Sequence, residues 1–88
     1  MIFVTPPYLR AIELHMKDAF PKSKVYVFSE ESPFSPTKYA VKAYVDDRYG
    51  AYVTLDIFEG VTEGYISEKL ISMIKGEMER GEQDNEQY

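Results

Sequence analysis

Between residues 39 and 58 the chain reads YAVKAYVDDRYGAYVTLDIF, with apolar side chains at every second position on either side of a polar turn. A period of two belongs to a strand, because successive side chains point to opposite faces. A slip of one residue would move the whole apolar set to the other face, so the pattern constrains register as well as element type. Tyr39, Val41, Ala43 and Val45, then Ala51, Val53, Leu55 and Ile57, make a face suited to a core. The intervening Asp46-Asp47-Arg48-Tyr49-Gly50 is turn-rich and ends in glycine, so the two runs are expected to form an antiparallel hairpin. The opposite face carries Lys38, Lys42, Tyr44, Tyr52, Thr54, Asp56 and Phe58. Large aromatics on a face turned away from the core point to either a binding surface or a buried oligomer interface.

Upstream, Thr5-Pro6-Pro7 is a helix start: threonine caps, and proline at the first helical position gives up an amide that has no partner there. Val4 and Leu9 stand at the spacing of a hydrophobic staple. Leu9, Ile12, Met16, Ala19 and Phe20 recur at helical spacing and Pro21 ends the run, which predicts a helix over 6–20. Residues 24–30, KVYVFSE, read as a strand with apolar side chains on both faces, Val25 and Val27 on one, Tyr26 and Phe28 on the other. Residues 31–36, ESPFSP, read as a loop on their prolines and serines.

Downstream of the hairpin, Thr62 caps a second helix with Glu63 at the positive end of its dipole. Ile66, Leu70, Met73 and Ile74 form its expected buried stripe, with Ile71 and Met78 beside them. Gly81 is the expected stop, leaving 82–88, EQDNEQY, as an acidic disordered tail. The prediction is an α+β fold of order αβββα: a three-stranded antiparallel sheet with both helices on one face. Residues 1–81 form a single domain, and residues 1–4 are a candidate extra N-terminal strand. Such an arrangement leaves Tyr26, Phe28, Tyr44, Tyr52 and Phe58 on the uncovered side.

The chain has 88 residues and no cysteine, so neither a disulfide scaffold nor a thiolate metal site is available, which fits a reducing, cytoplasmic setting. No apolar run approaches the roughly 18 residues of a membrane span, and the first residues lack the pattern of a signal peptide. Residues 1–50 hold seven basic against six acidic residues and residues 51–88 three against nine, so the net charge of −5 resides in the second half.

No motif for catalysis, cofactor or metal binding is present. His15 is the one histidine and has only Asp18 beside it as a carboxylate on its helix. Ser67 and Ser72 lie inside the second helix, away from any nucleophile elbow. Glu30-Glu31 and Asp46-Asp47 are adjacent carboxylates in turn regions, where solvated loop residues are the ordinary case.

The order αβββα resembles that of double-stranded RNA-binding domains. Their second helix opens on lysines that meet phosphates, whereas here it opens TEGYISEK, so nucleic acid is not the expected ligand. A single-strand binder stacking bases on the sheet tyrosines beside Lys38 and Lys42 is the remote alternative. Glu63, Glu68, Glu77, Glu79 and Glu82 instead suggest an acidic surface that imitates a nucleic acid and occupies the basic groove of a protein that binds one. Small size, an acidic second helix, eight tyrosines and no catalytic equipment resemble the small phage-encoded inhibitors of host defence, such as anti-CRISPR and anti-restriction proteins.

The sequence therefore points to a protein-binding module, an inhibitor or regulator without cofactor. Its expected contact residues are the acids just named and the aromatics Tyr26, Tyr44, Tyr52 and Phe58. The alternative is a homodimer or assembly subunit joined through the aromatic face.

Overall fold

A computed structural model of the chain describes residues 4–86, with side-chain surroundings for residues 4–81. The elements follow as α1 (Pro6–Ala19), β1 (Val25–Ser32), β2 (Ser35–Val45), β3 (Tyr49–Asp56) and α2 (Glu63–Glu86). The three strands form one antiparallel sheet in the order β1-β2-β3. α1 packs over β1, α2 over β3, and the helices pack on each other. This is the expected α+β arrangement, αβββα. The suggested extra strand falls mostly on residues 1–3, outside the described residues.

Register confirms the alternation. Val41 pairs with Val53 and Tyr39 with Leu55, and Val41, Ala43, Val45, Val53 and Leu55 are all buried. They meet Ile12 and Met16 of α1 and Ile66, Leu70 and Ile74 of α2 in one cluster. Both predicted caps form: Tyr8 N–H donates to Thr5 Oγ1 at 3.4 Å, and Tyr65 N–H to Thr62 Oγ1 at 3.2 Å. Val4 and Leu9 pack against the core as the staple requires.

Four expectations need correction. The loop over 31–36 is instead a tight hairpin: Ser32 pairs with Ser35, leaving Pro33 and Phe34 at the turn. Ser32 Oγ accepts the Phe34 N–H at 3.2 Å. Pro36 is tolerated because the β1–β2 register shifts between Glu31 and Ser32 and β3 has already ended opposite Lys38, so no ladder bond is lost. Ile57 is half-buried, since β3 stops at Asp56 and Ile57 already lies in a turn. Met73 is 47% exposed, because the buried arc of α2 is centred between Ile66 and Ile74 and takes in Ser67 in its place. Lastly, α2 passes Gly81 and continues to Glu86. A glycine in a helix costs about 1 kcal/mol and ends it only when it turns left-handed; among the glycines only Gly60 has a positive φ, +67°. The acidic segment expected to be disordered thus has a helical backbone as far as Glu86.

Candidate functional site: the open face of the sheet

With both helices on one side, the other side of the sheet is left to solvent, and the strand registers decide which residues share it. Tyr26 stands opposite Tyr44, and Tyr44 opposite Gly50. One row along, Phe28 stands opposite Lys42 and Lys42 opposite Tyr52. Tyr26, Phe28, Tyr44 and Tyr52 are all exposed, Tyr52 to 61%, whereas Ala43 and Val45 on the reverse face of the same central strand are fully buried.

Two local contacts order this face. The rings of Phe28 and Tyr44 stack diagonally across β1 and β2, with centroids 5.9 Å apart and planes 15° from parallel. The other edge of Tyr44 lies where Gly50 has no side chain: a Cβ there would come within 2.8 Å of Tyr44 Cε1. Gly50 is needed for ring clearance and not for a left-handed backbone. Between the aromatic residues, Lys42 Nζ donates to Glu30 Oε2 at 2.9 Å, and that bond raises the lysine pKa. The pair is exposed and contributes little stability.

Next to it is a hollow of about 530 Å³, lined by Glu30, Phe34, Lys38, Ala40, Lys42 and Tyr52. It exists because the β1–β2 hairpin outruns β3 and carries Phe34, 94% exposed, at its tip. An amphipathic surface with a recess of this kind suits a protruding side chain of a partner.

The predicted site residues divide. Tyr26, Tyr44 and Tyr52 are brought together with Phe28. Phe58 is exposed but lies in the turn after β3, where its N–H bonds Asp56 Oδ1 at 3.1 Å, so it is not part of the same ladder.

Among the described residues the acids divide between different sides of α2. At about 100° per residue, Glu68 and Glu79 share the solvent side of α2, whereas Glu77 faces the β3 side and lines a groove with Gly50 and Thr54. Glu63 is half-buried at the start of α2 beside Tyr8. The side chain of Glu82 lies outside the described residues. Lys69, Lys75 and Arg80 interrupt the acidic run on both flanks.

Two of the groups considered for chemistry, Asp46 and Ser67, have structural partners. Asp46 Oδ1 accepts the Lys24 N–H at 2.9 Å, which holds that carboxyl below its usual range, and Ser23 lowers it further. Ser67 Oγ is buried and donates to the Glu63 carbonyl at 2.7 Å. Among the described residues no three His, Asp or Glu side chains gather to hold a metal, and no helix is long and apolar enough to cross a membrane.

Three features escape the sequence reading: the hollow, the bond from the buried Tyr8 hydroxyl to the Val61 carbonyl at 3.0 Å, and the open edge of β3. The Pro33-Phe34 pair was the available signal for the hollow, since proline followed by an aromatic at a turn projects a ring.

No protein-family model matches the chain, and no curated protein or solved structure matches it either.

Proposed function

We propose that the chain is a small protein-binding module, an inhibitor or regulator that docks a positively charged partner protein through the open face of its sheet. The observation that carries this reading is the grouping of Tyr26, Phe28, Tyr44 and Tyr52 on a face that neither helix covers. Tyrosine suits such a face, because it gives large contact area at low entropic cost and keeps a polar end for the rim. Isolated exposed aromatics are ordinary; a contiguous patch is a docking surface.

The charge of −5 selects the partner's sign. The described acids of α2, Glu63, Glu68, Glu77 and Glu79, lie on the helix side of the molecule, separated into different flanks. Their role in this reading is attraction at a distance, with contact left to the sheet. Imitation of a regular phosphate array would instead require them on one face.

The test is to compare proteins retained from a cell lysate by the wild type and by the double variant Tyr44→Ser/Tyr52→Ser. A partner held by the wild type and weakened by about 2 kcal/mol or more in the variant supports the sheet face. An unchanged melting temperature shows that the variant is still folded. Equal retention of the same partner by both chains removes the sheet face from the proposal.

A further inference from the structure

β3 is an edge strand, and among the described residues nothing pairs with the backbone outside it. The Asp46 N–H bonds the Lys24 carbonyl at 2.9 Å and the Ile57 N–H bonds the Thr37 carbonyl at 3.0 Å, which sets the phase of both ladders. Hydrogen-bonded pairs recur at every second residue of an antiparallel ladder, so β2 is bonded through Ala51, Val53 and Leu55 of β3. Gly50, Tyr52 and Thr54 therefore direct their N–H and C=O groups away from the sheet, and among the described residues nothing bonds them there. The opposite edge differs: β1 carries Glu30 and Glu31 and a register shift. From Tyr49 to Leu55, β3 has no charge, proline or shift to blunt it.

Beside this edge runs a groove of about 570 Å³, with Gly50, Tyr52 and Thr54 on one side and Lys69, Met73, Glu77 and Arg80 of α2 on the other. We propose that a second copy of the chain occupies it, joining β3 to β3 antiparallel about a two-fold axis so that two three-stranded sheets become one. An isologous contact requires a self-complementary surface, and both walls of the groove meet that condition. On the strand, an axis at Tyr52 pairs Gly50 with Thr54 of the other copy and satisfies all the outward groups. On the helix, Lys69, Met73 and Glu77 follow at intervals of four along one flank. An axis at Met73 sets Lys69 against Glu77 of the other copy twice, with methionine on methionine between them. A foreign strand has no reason to carry that inverted charge order, whereas a second copy always does. The joined sheet also places the two Tyr52 rings side by side and doubles the open face.

Sedimentation equilibrium of the full chain tests this. Lys69→Glu, which opposes two acids across the axis, weakens dimerisation roughly ten-fold or more, as does Glu77→Lys. The double variant Lys69→Glu/Glu77→Lys restores it to within about three-fold, because the swap preserves complementarity. Thr54→Pro removes an outward N–H without breaking a bond to β2 and abolishes the dimer. Amide exchange at Tyr52 and Thr54 slows as protein concentration rises. A monomer up to about millimolar concentration, or a dimer indifferent to all these variants, overturns the proposal. Tyr44→Ser/Tyr52→Ser keeps the edge backbone, so this test stands apart from that of the sheet face.

Discussion

Tyr8 shows how much a single residue can settle. It is buried in the first turn of α1, three residues after the cap, and its hydroxyl ties α1 to the segment that leads into α2. Burial is the larger cause of its raised pKa, and the nearby Glu63 adds to it. A group whose folded pKa lies above its unfolded value contributes fully below the unfolded pKa, and that contribution disappears as pH rises through the folded one. Stability should therefore fall as pH climbs past about 10. Tyr8→Phe is expected to cost about 1 kcal/mol at neutral pH, for the lost hydrogen bond, and to reduce the alkaline loss. Denaturant titrations of both proteins at pH 7 and above pH 10 check this, and an equal alkaline loss in the variant would exclude Tyr8 as its source. Helical spacing did not single Tyr8 out, because a tyrosine beside two prolines reads equally well as surface. Asp46 and Asp47 were legible as turn residues, but their left-handed φ values of 57° and 56° and the bond to Lys24 were not. Residue type sets what a side chain is able to do, and its partner across the fold decides what it does.

Among elements, the β2–β3 hairpin was the most legible, since a period of two tied to one buried face leaves a single register. Leu55→Ala removes a buried side chain from β3 and should cost roughly 2 to 5 kcal/mol. Met73→Ala on α2 should cost less than about 1 kcal/mol, because the residue is half in solvent. Chemical denaturation of the two variants separates them, and similar costs would mean that α2 is rotated about its axis relative to the described packing. The stripe of α2 was read only in part because an apolar list cannot distinguish the flank from the centre. Ile66, Leu70 and Ile74 face the core, Met73 drifts towards β3, and Ser67 is buried because its hydroxyl bonds back to its own helix. Residues 31–36 were misread for a different reason. Proline and serine mark turns locally, while a hairpin is decided by what β1 and β2 pair with on either side.

For the whole molecule, the aromatic half of the candidate site was legible and the acidic half was not. Alternation alone assigns Tyr26, Tyr44 and Tyr52 to one face. The acids of α2 lie on a helix where neighbouring positions diverge by about 100°, so Glu68, Glu77 and Glu79, close in sequence, are divided between two sides of it. Glu68 and Glu79 remain together on the solvent side, neither forms a salt bridge with a described residue, and the sheet lies between them and the open face. Packed layers of secondary structure lie about 10 Å apart, and the screening length is about 8 Å at physiological salt and about 30 Å at 0.01 M. Reversing both to lysine should therefore slow association with a cationic partner at low salt and flatten its salt dependence. Affinity at physiological salt should change little, because the contact surface is elsewhere. Stopped-flow association rates across a salt series, with equilibrium binding at the upper end, measure both quantities. Loss of binding at physiological salt would place the contact on α2 and favour the nucleic-acid mimic. A change confined to the low-salt rate keeps contact on the tyrosines and leaves the charge as guidance, the division of labour expected when the two surfaces face opposite ways.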